Sequence, residues 1–420
     1  MKEIPSPRQL PLATATPQTY GLGGQYSELS DYISQKISFL KDRKVLVIVP
    51  DGTRSFPHKD IFMILDNVLP TCDYMIALGT HPQMPMEEMA ELFSLDMEEY
   101  EAKYSGHKLI SHNYKDESEL KLIGVLSKEK IKDLSQNMFY EEVPVKINKH
   151  IFEYDHILIC GPVFPHEVVG CSGGHKYFFP GISGREITDF FHWLGACIFQ
   201  KNIIGIKDTP VRRVVEEASG FVTVSHSAFC LNVKENQILD IYYGDTREAW
   251  SFISDKVQKT HIKYTGRAYK TVLSLCPEMY KDIWTAGKCM YKLEPVLEEG
   301  ANLIIYAPHI DEISYTHGEV LREIGYHTRD YFLRDWNRFK SYPWGILAHS
   351  THVKGCGKME GDIEKPNANV ILATSIPEDL CKSINLGYMD YRSINIEDYT
   401  NREDEGVLVV PHAGEILYRI

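Results

Sequence analysis

The chain has 420 residues, of which 43% are hydrophobic and 25% are charged, which is the composition of an ordinary globular protein. This length predicts two or three domains and a core that is stable without disulfides or structural metals. The formal net charge of −13 argues against a nucleic-acid partner, because duplex binding depends on clustered Lys and Arg residues that neutralise phosphates.

The nine cysteines contain no Cys-x-x-Cys pair, so neither a disulfide framework nor a zinc knuckle is indicated. Residues 1–5 lack the apolar region of a signal peptide. No apolar stretch approaches the length of a membrane span. We therefore predict a cytoplasmic protein without a membrane partner.

Short apolar runs that end in Gly, Pro or polar turns recur along the chain and alternate with helical patterns. Continuous apolar runs suit strands that are covered on both faces, as in parallel sheets. Their alternation with helices indicates an α/β fold with mostly parallel sheets. The clearest runs are residues 45–49, 75–78, 157–159, 303–306 and 370–373.

The pattern predicts two domains with a boundary near residues 265–280, after a helix predicted at 252–259. The N-terminal domain would span residues 1–270 and the C-terminal domain residues 271–405. The closing run at 407–410, within residues 406–420, is predicted to be a strand that returns to either domain.

Polar side chains follow the first two predicted strands. Asp51 and Arg54 come after the first strand, and His81 comes after the second. Ligands of open α/β sheets bind in the crevice outside the carboxyl ends of the strands. An acidic protein that binds a small anion also needs local cations, so Arg54 and its neighbours predict a site at this edge.

Lys176 follows the turn Ser172-Gly173-Gly174, which exposes backbone N–H groups and allows close approach of a ligand. His166 precedes this turn by a few residues. A lysine and a histidine beside a glycine-rich turn predict an active centre here.

A helix is predicted after this turn, from a Ser183-x-x-Glu186 capping box to about residue 199. On a helical wheel, His192 lies away from the centre of the apolar stripe, and the wheel alone favours a solvated histidine. The closeness of Lys176 and His166 in the sequence favours a site instead.

The segments GPVFPH at 161–166 and GCSGGHK at 170–176, followed by Pro180-Gly181, resemble the nickel-dependent lactate racemase family. In that family a lysine carries a covalently attached nickel-pincer nucleotide. The resemblance implies that Lys176 is this lysine and that His192, sixteen residues later, binds the nickel. It also implies that His166, ten residues earlier, and His81, in a Leu-Gly-Thr-His turn, are the two catalytic histidines.

Other motifs extend the resemblance over most of the chain. The Asp-Gly-Thr-Arg turn at 51–54, Lys288 in a Trp-Thr-Ala-Gly-Lys segment, and Trp344-Gly345 are similar to further site motifs of the family. His175 stands where a proline is usual, and Thr285 where lactate racemases carry a glutamine. The cofactor-binding set that the resemblance implies is Asp51, Gly52, Thr53, Arg54, Lys176, His192, Thr285, Lys288 and Trp344, with nickel assigned to Lys176 and His192.

The implied enzyme is an isomerase, a racemase or epimerase that inverts C2 of a 2-hydroxy acid by proton-coupled hydride transfer at a site between two domains. The α-proton of a carboxylate is barely acidic, so hydride removal by a cofactor avoids an unstable carbanion. Two histidines suit acid–base work on opposite faces, and the planar fork of Arg54 suits the carboxylate. Nickel suits sulfur and imidazole ligands. The implied partners are the enzymes of cofactor synthesis.

The substrate stays open among lactate, malate and an aldonic acid, and Thr285 favours a departure from lactate. Two other functions also stay open. Lys176 could be the Schiff-base lysine of a pyridoxal-phosphate enzyme, although no pyridinium partner is identifiable. The protein could instead bind the cofactor or a sugar acid without catalysis, against which the paired histidines argue.

His349 and His352 form a His-x-x-His pair one helical turn apart. Two imidazoles in this spacing can bind a metal, but no third ligand is evident. Substrate contacts or a satisfied turn are the favoured interpretation.

Overall fold

The computed structural model describes residues 26–235 and 237–420, so the segment read for a signal peptide and the predicted start of the first domain lie outside the described residues. Two parallel sheets organise the described part. The strands are β1 (Val45–Pro50), β2 (Asp73–Ala77), β3 (Leu109–Ser111), β4 (Leu120–Leu126), β5 (Val143–Asn148), β6 (His156–Pro162), β7 (Pro165–His166), β8 (Gly170–Cys171), β9 (Ser225–Lys234), β10 (Gln237–Gly244), β11 (Ile262–Tyr264), β12 (Tyr269–Leu275), β13 (Leu297–Ala307), β14 (Gly357–Glu360), β15 (Ile363–Pro366), β16 (Ala368–Thr374), β17 (Gly387–Tyr388), β18 (Val407–Val410) and β19 (Leu417–Arg419).

Helices cover the sheets and connect their strands. Within the described residues none is long and apolar enough to cross a membrane. The helices are α1 (Tyr26–Ile37), α2 (His58–Val68), α3 (Met86–Leu92), α4 (Met97–Glu99), α5 (Lys128–Leu134), α6 (Arg185–Ile198), α7 (Pro210–Ser219), α8 (Thr246–Thr260), α9 (Ile283–Ala286), α10 (Lys288–Tyr291), α11 (Gly318–Ile324), α12 (Arg329–Arg334), α13 (Trp336–Phe339), α14 (Trp344–Lys354) and α15 (Glu378–Ser383).

The first sheet has the strand order β10-β9-β6-β1-β2-β3, and its neighbours are parallel except for β9 and β10. Every residue of β1 and β6 is buried, as the apolar runs predict for strands covered on both faces. The chain extends this sheet from β1 to β2 and β3 on one side and to β6 and β9 on the other. Ligands of such sheets bind at this switch in strand order, outside the carboxyl ends.

The second sheet has the order β17-β16-β13-β12-β18, and all its neighbours are parallel. The closing run of the chain forms β18 beside β12 in this sheet, and β19 then pairs with β11. The prediction of an α/β fold with mostly parallel sheets is confirmed, and each of the five apolar runs coincides with a strand.

The helix predicted after the Lys176 turn is confirmed as α6, but its capping box is wrong. The residue at the N-cap is Gly184, and no side chain caps the helix. Ser183 Oγ lies 3.0 Å from Thr188 Oγ1, and Glu186 pairs with Lys146. Ser183 and Glu186 contact other partners, so no side chain caps the first turn of α6.

Helix α6 belongs to the first half of the chain but also packs against the second. The indole of Trp193 stacks on that of Trp336, with 5.3 Å between ring centroids. The backbone N–H of Gly345, at the start of α14, donates to Asp189 Oδ1 at 2.9 Å. The helix that carries His192 is thus fixed by contacts to both halves.

Candidate active site

A pocket lies at the carboxyl edge of the first sheet and is closed on its other side by residues from the second half of the chain. Strands β1, β2 and β6 are neighbours in the sheet, so the segments that follow them meet here. These segments bring Asp51, His81 and His166 together with Lys176. Thr285, Lys288, His349 and His352 line the pocket from the second half, and His192 lines it from α6.

The turn before Lys176 depends on glycine. Gly173 and Gly174 have φ angles of 82° and 59°, where L side chains are strained. A Cβ on Gly173 would lie 2.7 Å from a Val163 methyl, and one on Gly174 would lie 2.7 Å from Trp250 Cβ. No other residue fits these positions without movement of the neighbours.

A buried cluster of charged side chains stabilises the same turn. Arg212 donates to the carbonyl of Gly173 at 3.1 Å, its guanidinium lies 3.6 Å from the centre of the Trp250 ring, and it pairs with Glu216 at 2.8 Å. His175 Nδ1 lies 2.8 Å from the other oxygen of Glu216. His175 therefore attaches the loop to α7 through Glu216.

Lys176 presents a buried amine to the pocket. No hydrogen bond or ion pair holds its Nζ within the described residues. Burial, strengthened by the positive charge of Arg54, lowers the pKa of Lys176 to about 8. The lowered pKa increases the unprotonated fraction of the amine near neutral pH, and the unprotonated amine is the state that attacks a carbonyl or thiocarbonyl carbon.

His192 has one free ring nitrogen. Its Nδ1 lies 2.6 Å from the carbonyl of Thr188, which can only accept, so Nδ1 carries the proton. Burial lowers the pKa of His192 to about 4, and nearby Lys176 adds to this effect. The ring is neutral at pH 7 with an unprotonated Nε2, which is the form that binds metals. The helical wheel indicated a solvated surface position for His192, but the residue lines the pocket.

Asp51 and His81 form a dyad between the ends of β1 and β2. His81 Nδ1 donates to Asp51 Oδ2, while the N–H and hydroxyl of Thr53 donate to Oδ1 at 3.1 and 2.7 Å. Burial alone would raise the pKa of Asp51, but the charge and hydrogen bond of His81 hold it well below its usual range. The ionised carboxylate fixes the proton on Nδ1 and leaves His81 Nε2 as an acceptor.

His166 Nδ1 faces two different partners. The backbone N–H of Val168 lies 3.1 Å away as a donor, and Glu167 Oε2 lies 3.3 Å away as an acceptor. Burial and the nearby cations Lys176 and Arg54 hold the pKa of His166 well below its usual range. Val168 favours the proton on Nε2, whereas Glu167 stabilises a ring that is protonated on Nδ1.

Three basic side chains lie at or near the pocket: Arg54 follows β1, and Lys288 and Lys292 lie at the two ends of α10. Arg54 donates to the carbonyl of Thr53 at 3.0 Å, and the rest of its fork has no hydrogen-bond partner within the described residues. Lys288 reaches the same carbonyl at 3.3 Å, and burial holds its pKa well below its usual value. Lys292 is held by the carbonyls of Pro165 and Glu415, and burial lowers its pKa to about 7. Arg54 is the cation best placed to bind a carboxylate in bidentate fashion.

Two residues of the predicted set do not line the pocket. Gly52 is exposed on the turn between Asp51 and Thr53. Trp344 donates to the carbonyl of Lys340 at 3.0 Å and lines a second cavity with Phe139 and Trp336. Its neighbour Gly345 lines the first pocket in its place.

Some pocket residues escaped the sequence reasoning. Glu167 follows His166 directly, but only the fold shows it beside the imidazole. Tyr291 also lines the pocket, and so does Trp284 from the segment before Lys288. His349 and His352 were recognised as a pair for which substrate contacts or a satisfied turn were favoured, and both line the pocket.

Comparison with known proteins relates the chain to lactate racemases. A family model described as the lactate racemase N-terminal domain matches residues 33–202. The lactate racemase of Thermoanaerobacterium thermosaccharolyticum is 24% identical over 220 residues, which is 49% of this chain and 46% of that protein. The match thus spans about half the length of this curated relative.

Two solved structures share the fold. A crystal structure of a Thermotoga maritima protein is 30% identical, with a TM-score of 0.84, over 94% of this chain and 98% of the other. The lactate racemase apoprotein of T. thermosaccharolyticum superposes with a TM-score of 0.72 at 17% identity, over 94% and 93% of the two chains. The fold defines an α/β protein with mostly parallel sheets, structurally like lactate racemase. Residues 33–202 of the chain belong to the family described as the lactate racemase N-terminal domain.

Proposed function

We infer that this protein is an isomerase that inverts C2 of a 2-hydroxy acid with a nickel-pincer nucleotide attached to Lys176. The two sheets would then belong to two domains, with the active site in the crevice between them. The single observation that carries the proposal is one pocket that holds an unpaired, buried lysine amine and an unprotonated imidazole nitrogen of His192.

The residues present fit the cofactor. Lys176 offers an amine whose pKa of about 8 suits covalent attachment, and His192 Nε2 offers the lone pair that nickel takes from imidazole. When bound, the nucleotide would supply a reversible acceptor for the hydrogen of C2. All remaining steps fall to side chains of this chain.

Arg54 binds the substrate carboxylate through the unpaired part of its guanidinium. His81, held by Asp51, takes the hydroxyl proton at Nε2 as the C2 hydrogen leaves. His166 gives a proton back to the oxygen for the opposite face. For this His166 must be protonated at both nitrogens, and Glu167 stabilises that state at Nδ1. The reverse direction exchanges the two roles.

Attachment of the cofactor would also remove a positive charge near His166. Lys176 loses its positive charge when its nitrogen becomes part of an amide-type bond. That charge is one of the causes that depress the pKa of His166 in the unmodified protein. Its removal would raise the pKa of His166, although burial and the remaining cations still lower that pKa.

The decisive experiment is intact mass and metal analysis of protein produced together with the enzymes of cofactor synthesis. We expect a nucleotide-sized adduct on Lys176 and one equivalent of nickel. Lys176→Ala should lose both, and His192→Ala should keep the adduct while it loses most of the nickel. An unmodified Lys176 in active protein would contradict the proposal. An alkali-labile chromophore without metal would point to pyridoxal phosphate.

The route of the hydrogen has its own test, with substrate deuterated at C2 in ordinary water. A hydrogen that is held and returned stays on carbon in the inverted product. Complete exchange with solvent at early turnover would indicate proton abstraction and exclude the proposed reaction. His81→Ala and His166→Ala should each abolish inversion in both directions, because each direction uses both histidines.

A further inference from the structure

Two histidines of α14 line the pocket, and each has a ring nitrogen without a hydrogen-bond partner within the described residues. His349 and His352 are both buried, both line the pocket, and the Nε2 atom of each lacks a hydrogen-bond partner within the described residues. We call them, with Gly345, the α14 wall. A buried polar atom without a partner is costly, so a pair of them on residues that line a pocket points to a ligand.

The proton of His352 can be placed from its neighbours. The amide nitrogen of Gln200 donates to Glu294 Oε2 at 2.6 Å and to the backbone carbonyl of His352 at 3.1 Å, so its Oε1 is an acceptor. That oxygen lies 3.2 Å from His352 Nδ1, which must therefore carry the proton. His352 Nε2 is therefore an unprotonated acceptor without a hydrogen-bond partner within the described residues.

Both histidines of the α14 wall are uncharged at neutral pH. Burial lowers the pKa of His352 to about 3 and, together with the neighbouring imidazoles, holds the pKa of His349 well below its usual value. The stretch of α14 that lines the pocket contains no lysine or arginine. The ring of Trp284 stacks on His349 with 4.1 Å between centroids and fixes its orientation.

This chemistry separates the possible substituents of a 2-hydroxy acid. A second carboxylate has no proton to give and would meet the lone pair of His352 Nε2. A methyl group would displace water and leave the acceptors unpaired. Hydroxyl groups both donate and accept, so they satisfy either form of the imidazoles. A second metal is not supported, since the described residues hold no cluster of three side chains able to ligate one.

We propose that His349 and His352 bind hydroxyl groups on the carbon chain beyond C2, so that the substrate is a polyhydroxylated 2-hydroxy acid of the aldonic type. This rests on the proposed function for the reaction at C2, and it assigns to the α14 wall the choice among substrates. The ribose of a bound nucleotide offers the same hydroxyl chemistry, and the test distinguishes the two sources.

The test uses protein made with the enzymes of cofactor synthesis, and its adduct mass and nickel content are measured first. Calorimetric binding of gluconate, lactate and malate is then compared with kcat/KM for inversion of each acid. We expect a preference for gluconate of at least about a hundredfold, because a site built to bind hydroxyls rejects ligands that lack them. His349→Phe and His352→Phe should lose that preference and keep their affinity for lactate.

His352→Gln provides a rescue, since its amide oxygen can again accept a hydrogen bond, and it should regain part of the preference. His150→Phe, at an exposed histidine that pairs with Glu153, is the control and should behave as wild type. Thermal melting of each variant excludes loss of folding as the cause, and the comparison of acids on the wild-type protein needs no variant.

Three results would overturn the proposal: equal binding of the three acids, a preference for malate or lactate, or Phe variants that lose adduct or nickel but keep the preference. The last result would assign the wall to the ribose of the cofactor. Failure of the proposed function would look different: no adduct and no inversion of any acid, whether or not gluconate binds more tightly.

Discussion

Asp51 accepts a hydrogen bond from Nδ1 of His81, and this contact joins the ends of two neighbouring parallel strands. The sequence separates the two residues by 30 positions, and each one alone resembles an ordinary turn residue. Their contact determines which nitrogen of the imidazole faces the pocket. An orienting carboxylate of this kind allows a histidine to act as a base.

Asp51→Asn should therefore reduce kcat far more than it changes KM. An asparagine can donate as well as accept, so it no longer fixes the proton on His81 Nδ1. In the comparable dyad of serine proteases this substitution costs about 10⁴-fold in kcat, and we expect a loss of at least about 10²-fold. Steady-state kinetics in both directions measure it, with the exposed Asp116→Asn as the control. An unchanged kcat would remove Asp51 from the mechanism.

Glu167→Gln should lower kcat in both directions by about 10- to 100-fold, since it removes the carboxylate that stabilises protonated His166. The pKa of His166 should fall further, because an opposite charge beside it is lost. The limb of the kcat profile that depends on protonated His166 should move to lower pH. If that limb stays at the same pH, Glu167 only supports the structure.

Arg54→Lys should reduce kcat/KM severely, because an ammonium cannot form two parallel hydrogen bonds to a carboxylate. The loss of a charge-assisted hydrogen bond costs about 1.5–3 kcal/mol, which corresponds to roughly 10- to 150-fold. Arg213→Lys is the matched control, as Arg213 forms an exposed pair with Asp208. Wild-type kcat/KM in the Arg54 variant would show that another group binds the carboxylate.

Lys176 should react with a small acylating reagent at pH 7.5 faster than the exposed lysines of the unmodified protein. Its pKa of about 8 leaves a substantial fraction unprotonated there, and its reactivity should level off above pH 8. Exposed Lys358, whose pKa is raised by Glu360, should still gain reactivity up to and beyond pH 10. Peptide mapping by mass spectrometry follows both residues, and equal rates at pH 7.5 would refute the shift.

His175→Ala should destabilise the protein by about 1–3 kcal/mol, because Glu216 loses a partner in a buried site. Burial raises the pKa of Glu216, but His175 and Arg212 lower it to about 2, below the value of 4.5 in an unfolded chain. This stabilisation is complete above pH 4.5 and is lost as the pH falls towards 2. Urea unfolding at pH 6 and pH 3.5 measures it. His150→Ala, an exposed pair, should cost less than about 1 kcal/mol.

The strands and the Lys176 turn could be predicted because local patterns determine them. Apolar runs covered on both faces have one interpretation, and a Gly-Gly turn needs φ angles that only glycine adopts easily. The capping box failed because Ser183 and Glu186 have partners outside the helix, which no local motif reveals. The helical wheel wrongly indicated a solvated His192 for a related reason, since the second half of the chain covers the polar face of α6.

Contacts over long sequence distances were beyond the pattern of the chain. Gln200 sets the proton of His352 from 152 residues away, and Lys288 reaches the turn at Thr53 across 235 residues. Such pairs depend on how two sheets are placed against each other. The residues of the site were recognisable by resemblance, whereas the proton positions that give them a chemical role required the fold.

The stacked indoles of Trp193 and Trp336 give the molecule an optical reporter. Their planes differ by 4° and their centroids lie 5.3 Å apart. The strong far-ultraviolet transitions of two indoles at this separation couple, which produces a paired signal in circular dichroism. One ring sits beside His192 on α6 and the other lies in the second half of the chain. The amplitude of that signal would follow the approach of the two halves in solution, without any label attached.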